Sequence, residues 1–335
     1  MPFINEILKH KSLSIVGLEK NTGKTECLNY VLRRLKDSKT QIALTSIGID
    51  GEGLDQVTNT HKPEIEVFEN MIFVTSEKHY KEKQLLAEIL DISERRTSLG
   101  RLITAKAINS GKLMFSGPAN TLWLKQVIDQ MKTFKVETTI VDGALSRLSL
   151  GSPAITESMV LATGAAVSAN IPNLVKKTKF VYNLINIEEF DFSKKDELLD
   201  IEKGIWAIDD EGNICDLEIP SVFLLEKNKD KLFQFGFTFF VSGAISDNLL
   251  NFLRVQKQIE NIVLVVRDFT RIFVSQEAYI NYIKKGGKIK VLLKTNLLAV
   301  CINPVSPEGY VLDSNILRST MADALQIPVY DIMKI

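Results

Sequence analysis

Nine residues near the amino terminus, Gly17-Leu18-Glu19-Lys20-Asn21-Thr22-Gly23-Lys24-Thr25, constrain this chain more than any other feature. An apolar run, Leu13 to Val16, precedes them, and Leu28, Val31, Leu32 and Leu35 follow. The run reads as a strand. The later residues fall at i, i+3, i+4 and i+7, which places them on one face of a helix. A strand that turns through glycine straight into a helix opens a βαβ unit, so an α/β architecture is expected. The first N–H groups of such a helix have no intrahelical partner and make a ready anion site. Gly-Lys-Thr at that point reads as a phosphate-binding loop. The expected nucleotide contacts are Gly17, Lys20, Asn21, Thr22, Gly23, Lys24, Thr25 and Glu26, with Lys24 on the β- and γ-phosphates and the Thr25 hydroxyl on Mg²⁺.

The loop departs from the usual G-x-x-x-x-G-K-[ST] template. Five residues separate Gly17 from Gly23, and Leu18 stands where the first glycine is expected. A plain strand–turn–helix is the alternative reading.

Bulk properties narrow the class. Lys plus Arg and Asp plus Glu each number 41, so the net charge is zero and nothing favours nucleic acid or an anionic membrane as a partner. Cys27, Cys215 and Cys301 are far apart, with no Cys-x-x-Cys pair, which argues against zinc and dithiol chemistry. A sparse, odd cysteine count suits a reducing cytosol, so a cytoplasmic protein is expected. Met1 to Lys11 lacks the pattern of a signal peptide, and polar breaks interrupt every apolar run before it reaches membrane-spanning length.

At 335 residues the chain suggests two domains. Strands are expected over Ser12–Val16, Gln41–Ile47, Met71–Thr75, Lys112–Phe115, Thr138–Val141, Lys179–Leu184, Val222–Leu225, Thr238–Val241, Ile262–Val266, Lys290–Leu293 and Leu298–Ile302. Helices are expected over Lys24–Lys36, Tyr80–Ile92, Ala119–Thr133, Thr156–Val167, Asp247–Gln258, Gln276–Lys284 and Asp313–Leu325. Strands alternating with helices imply a parallel sheet. The charged stretch Lys176–Lys203 marks a seam. It divides the chain into a nucleotide-binding P-loop NTPase domain, 1–176, and a second α/β domain, 177–335. No internal repeat is evident. The run Glu226–Lys231 reads as a solvated loop.

Several side chains can complete a nucleotide site. Asp142 closes an apolar strand, Thr138 to Val141, and a strand carboxylate beside a phosphate loop can hold Mg²⁺. A turn-capping Asp is the alternative. Asp50 follows the second strand in a glycine-rich segment, Gly48 to Gly53, where it can join the Mg²⁺ shell or polarise water, with Glu52 next in line. The alternative there is a mobile turn. Lys24, Asp50 and Asp142 are thus the catalytic candidates, and Thr25, Asp50 and Asp142 the metal candidates. Arg147 is a second phosphate-neutralising candidate, with solvation as the alternative. Lys20 has the same standing. His10, His61 and His79 are scattered and read as surface or loop residues. Asn303-Pro304 through Tyr310 reads as a stiff structural turn that can also meet a ligand or partner.

The spacing Gly-x5-Gly-Lys-Thr resembles the loop of dethiobiotin synthetase and of the MinD branch of P-loop proteins. Val160-Leu161-Ala162-Thr163-Gly164-Ala165 is similar to segments of that branch. The loop, Thr45–Glu52, Val141–Arg147, Thr163-Gly164-Ala165 and Asn303-Pro304 with Ser306-Pro307 together resemble a subunit of the reactivase for lysine 5,6-aminomutase. The ornithine aminomutase system is similar enough to compete as the client. The resemblance implies ATP with Mg²⁺ as ligands and a MutS-like ATPase companion subunit. It also implies an adenosylcobalamin-dependent aminomutase as client, opened so that damaged cobalamin leaves. A γ-phosphate-dependent loop switch would drive this, with the Asp50 loop as its candidate.

Two other readings stand beside it. One is a carboxylate-activating ligase of the dethiobiotin synthetase type, for which Arg95, Arg96 and Arg101 would supply the basic groups. The other is a binding subunit that holds nucleotide without turnover. No Asn-Lys-x-Asp guanine signature is evident, so residues alone do not separate ATP from GTP, and the oligomeric state stays open. With no Gln or His placed to orient water, slow hydrolysis by the isolated chain is expected.

Overall fold

A computed structural model describes residues 2–48, 64–144, 152–222 and 229–334. The chain divides into two compact units, one formed by Met1–Lys179 with Asn296–Ile335 and the other by Phe180–Thr295.

The first unit opens with helix α1 (Pro2–Ile7), strand β1 (Ser12–Gly17), α2 (Lys24–Leu35) and β2 (Ile42–Ser46). It continues with β3 (Ile65–Val67), β4 (Ile72–Ser76), α3 (Glu77–Lys81), β5 (Ala87–Thr97), β6 (Gly100–Ala107) and β7 (Gly111–Leu113). Helix α4 (Thr121–Gln130), β8 (Thr138–Ala144) and β9 (Ser158–Gly164) follow, and α5 (Ile171–Ile185) begins in this unit and ends in the second. The second unit holds α6 (Lys195–Asp200), β10 (Ile205–Ile208), β11 (Ile214–Ile219), α7 (Lys229–Leu232), β12 (Thr238–Val241) and β13 (Ile245–Ser246). After these come α8 (Asp247–Arg254), β14 (Val263–Val266), β15 (Ile272–Phe273), α9 (Gln276–Lys284) and β16 (Lys288–Val291). The chain then closes with β17 (Leu297–Asn303), α10 (Ser314–Leu325) and β18 (Val329–Asp331).

The large sheet of the first unit runs β18-β17-β9-β1-β8-β2-β4-β6-β5. The seven strands from β18 to β4 are mutually parallel, and β6 is antiparallel to both β4 and β5. Both faces are covered. On one face Phe3 and Ile7 of α1 and Leu28, Leu32 and Leu35 of α2 pack with Leu13, Ile15, Leu44 and Phe73. On the other, Trp123, Val127 and Met131 pack with Ala43, Ile72 and Val74. Neighbours on one strand, such as Ala43 and Leu44, go to opposite faces because side chains alternate along a strand. β1, β2 and β9 are therefore buried at every position, as parallel strands covered on both faces are.

The smaller sheet runs β11-β10-β12-β14-β16, with β12, β14 and β16 parallel and β10 antiparallel to both its neighbours. Phe240, Val265 and Leu292 form its core with Leu198 and Ile208. Helix α9 matches its expected span, and Ser275 caps it by accepting from the Ala278 N–H at 3.2 Å. Among the described residues no helix is long and apolar enough to cross a membrane.

Four sequence expectations are corrected. Thr156–Val167 was expected to be helical, yet its centre is β9, buried at every position and paired on both sides. A run buried on every side shows no one-faced period, so its pairing decides between helix and strand. Tyr80–Ile92 is not a helix: α3 ends at Lys81, and β5 forms a hairpin with β6. Lys179–Leu184 is the end of α5, where buried Leu174, Val175, Thr178 and Ile185 keep helical spacing. The C-terminal domain was expected to run over 177–335, but Asn296–Ile335 belongs to the first unit, where β17 pairs with β9 and β18 with β17. The strand expected over Val222–Leu225 lies mostly outside the described residues. The end of the run expected as a solvated loop opens α7.

Candidate phosphate-binding site

β1 lies between β8 and β9, with Ile15 in register with Asp142 on one side and Val160 on the other. The chain leaves β1 at Gly17. Leu18 N–H donates to the Ala162 carbonyl at 2.8 Å, and the Thr22 hydroxyl donates to the Glu19 carbonyl at 2.9 Å. These bonds tie the loop to β9 and fold it on itself. Asn21 (φ 60°) and Gly23 (φ 83°) are both left-handed, a conformation that glycine and asparagine adopt most readily. Gly23 also has no room for a side chain, because a Cβ there would stand 2.6 Å from Asn303 Cβ.

Helix α2 starts at Lys24, and Cys27 N–H donates to the Gly23 carbonyl at 2.9 Å. No side chain caps this helix. The N–H groups of its first turn, on Lys24, Thr25 and Glu26, are the ones an anion takes at a helix start. Lys24 Nζ stands 2.8 Å from Asp142 Oδ1, with the two side chains 22% and 14% exposed. The contact is an ion pair without hydrogen-bond alignment, since Asp142 Oδ1 is buried and accepts no hydrogen bond. Ser46, in register with Asp142 on β2, donates its hydroxyl to the Asp142 carbonyl at 3.2 Å. Asp142 Oδ1, paired with the Lys24 ammonium, is a hard carboxylate oxygen of the kind a divalent ion takes.

The sequence-predicted residues Gly17, Lys20, Asn21, Thr22, Gly23, Lys24, Thr25 and Glu26 thus share one loop and helix start, and the fold brings Asp142 to Lys24. Asp50, Glu52, Arg147 and His61 lie outside the described residues. Among those described, no group of three His, Cys, Asp or Glu gathers in the manner of a protein-only metal cage. Mg²⁺ in phosphate sites usually keeps waters and takes only one or two protein ligands. Glu19 pairs with Lys177 of α5 at 3.5 Å, and Lys177 Nζ also donates to the Val167 carbonyl at 3.1 Å.

The segment Asn303–Tyr310, read mainly as a stiff turn, lies beside the loop together with Gly164 and Ala165. Asn303, the last residue of β17, packs on Gly23 and also on Gly164, where a Cβ would fall 2.2 Å from the Asn303 carbonyl oxygen. Tyr310 OH donates to the Ala165 carbonyl at 2.6 Å, and Asn303 Oδ1 accepts from Val305 N–H at 3.0 Å. The signal for this wall was an Asn-Pro pair directly after an apolar strand.

Other candidates fall elsewhere. His79 is buried, which corrects its expected surface position, whereas His10 meets Asn296 at 3.2 Å. Arg95, Arg96 and Arg101 lie on the edge hairpin, where Arg101 pairs with Glu77 at 3.5 Å and Arg95 donates to Gln126 at 2.8 Å. β6 is the fourth strand from β1, a lateral span of roughly 19 Å at usual strand spacing. Comparison with protein-family models, with curated proteins and with solved structures finds no match to this chain.

Proposed function

We propose that the chain is a P-loop protein that binds a Mg²⁺–nucleoside triphosphate at residues 17–26. The observation that carries this reading is Lys24, at the uncapped start of α2, held against the half-buried Asp142 carboxylate of β8. In this reading Lys24 turns from Asp142 to the β- and γ-phosphates, and the first N–H groups of α2 bind phosphate oxygens. Thr25 and Asp142 are the described residues that would hold Mg²⁺, which would neutralise phosphate charge. Asp50 remains the proposed third member of that set.

For the biological role we propose a subunit of an ATP-dependent reactivating factor for an adenosylcobalamin-dependent lysine 5,6-aminomutase, working with a MutS-like ATPase companion. The support is the resemblance across the loop, Val141–Arg147, Thr163–Ala165 and Asn303–Pro307. The distance of Arg95, Arg96 and Arg101 from β1 weighs against the ligase reading.

Calorimetric titration with Mg²⁺–ATP and Mg²⁺–GTP tests the nucleotide reading. Wild type is expected to bind one of them and Lys24→Ala neither. Equal affinity in both proteins would refute it. Co-purification of the companion and the mutase with the tagged chain tests the role, which fails if neither is retained with or without nucleotide.

A further inference from the structure

The carboxyl end of β12 borders a cavity of about 320 Å³ whose lining belongs wholly to the second unit. Ligands gather at that edge of parallel strands, and the volume is that of a small-molecule site. β10 runs antiparallel to β12, so Ile205 at its start pairs with Val241 at the end of β12. Residues 202–204, before β10, and 242–246, after β12, both line the cavity.

Three hydrogen bonds pin the first of these segments. The Arg267 guanidinium donates to the Ile201 carbonyl at 2.7 Å, and the Trp206 indole N–H to the Lys203 carbonyl at 3.1 Å. The Ser242 hydroxyl donates to the Gly204 carbonyl at 3.1 Å. The backbone is thus fixed, while Glu202 and Lys203 stay exposed and line the cavity. They are its charged residues, one of each sign, and among the described residues neither joins an ion pair. Apolar groups supply much of the remaining wall. Ile245 is fully buried there, and Val222 partly so. Pairing of β13 with β15 sets Phe273 beside Ser246, and Phe273 is 57% exposed. A Cβ on Gly243 would meet nothing within 4 Å, so a ligand can come up to the main chain at that point.

We infer that this cavity binds a free α-amino acid with an apolar side chain, its carboxylate on Lys203, its ammonium on Glu202 and its side chain against Phe273 and Ile245. The charges select the class. A polyanion such as a nucleotide needs several cations, and here a single ammonium has a carboxylate next to it. A purely apolar ligand would take water from both charged groups and return nothing. An amino acid carries one charge of each sign on a single carbon, which suits two charged side chains on adjacent residues. Its side chain covers the exposed Phe273 ring, where aromatic contact buries a large apolar area. The site shares no residue with 17–26, so it stands or falls apart from the nucleotide reading.

Calorimetric titration of the full chain at neutral pH with L-leucine and L-phenylalanine is the test. Each is run beside the matching acid without the ammonium and the matching amine without the carboxylate. At least one amino acid should bind. Loss of either ligand charge should weaken binding on the order of tenfold or more, the worth of a charged hydrogen bond. Lys203→Met should weaken the amino acid by a similar factor and spare the amine. Glu202→Gln should weaken the amino acid and spare the acid, and Phe273→Ala should weaken all three. These positions are exposed, so the variants should melt like wild type. If neither amino acid binds at millimolar concentration, the inference is overturned. Acids or amines that bind as tightly as the amino acid overturn the zwitterion. Affinity left unchanged by Lys203→Met, Glu202→Gln and Phe273→Ala places the ligand elsewhere and overturns the site.

Discussion

Replacing Lys24 by methionine and Asp142 by asparagine, singly and together, probes the ion pair at the start of α2. Nζ and Oδ1 are 2.8 Å apart, and the side chains are 22% and 14% exposed. At an effective dielectric of about 20 the gross attraction at that distance is roughly 6 kcal/mol. Desolvation returns most of it, leaving a coupling on the order of 1–3 kcal/mol for groups in contact. The two single changes are not equivalent. Lys24→Met strands a buried carboxylate oxygen that has no hydrogen bond, at a cost of about 2–3 kcal/mol. Asp142→Asn leaves a lysine whose flexible stem turns to water, at a cost of about 0.5–1.5 kcal/mol. Folding units of about 150–250 residues lose about 2–4 °C per kcal/mol, so melting should fall by roughly 4–12 °C and 1–6 °C respectively. The double variant should lose less than the sum. The sequence alone implies no cost for losing Lys24, since a lysine opposes the dipole at a helix start. Thermal melts without nucleotide measure all four proteins. Equal losses from the two single variants, or strict additivity in the double variant, would refute the buried pair. Mg²⁺–ATP at about 100 times its Kd should add roughly 2.7 kcal/mol to wild type and nothing to Lys24→Met.

Gly23→Ala meets both a left-handed backbone, φ 83°, and a 2.6 Å contact with Asn303. It should abolish ATP binding in calorimetry and cost about 1–2 kcal/mol from the backbone alone, of which Asn303→Ala recovers nothing. A variant that binds ATP like wild type would show that the loop is not held as described. Glu77 is held below its ordinary value of 4.5, chiefly by the Arg101 N–H and then by the Arg101 guanidinium. A lowered folded-state value contributes stability above the unfolded value and loses it as pH falls through the folded one. Glu77→Gln should therefore melt below wild type at pH 7 and converge on it below pH 4.5, and parallel curves across that window would refute the assignment. The isolated chain should release phosphate more slowly than about one per second, with the companion and mutase raising the rate. Faster turnover alone would show that no partner completes the site.

The strand, turn and helix start at Gly17–Thr25 were legible because everything they need is local. Gly17 to Thr25, the apolar run before it and the stripe after it fall within one strand–turn–helix. The placement of Asp142 beside that turn was legible for a related reason: it lies near the carboxyl end of a parallel strand, the edge where loops gather. Helices α9 and α10 fall where they were expected, and in the structure Ser275 and Asp313 cap them by accepting from the Ala278 and Ile316 N–H groups.

Tertiary structure decided the rest. The residues of β9 are a helix or a strand according to what lies beside them, and β1 and β17 are what lie beside them. The hairpin of β5 and β6 carries Glu88, Asp91, Glu94, Arg95 and Arg96 on an edge strand, so its charges mimic a solvated helix. The return of Asn296–Ile335 to the first sheet leaves no trace in local pattern, because pairing between β17 and β9 joins residues more than a hundred positions apart. That pairing sets Asn303 on Gly23. Sequence by itself therefore determined the strand, the turn and the helix start, where backbone sterics act between neighbours. Only the folded sheet determined the wall around them, because strand order is a choice among distant partners of equal hydrophobicity.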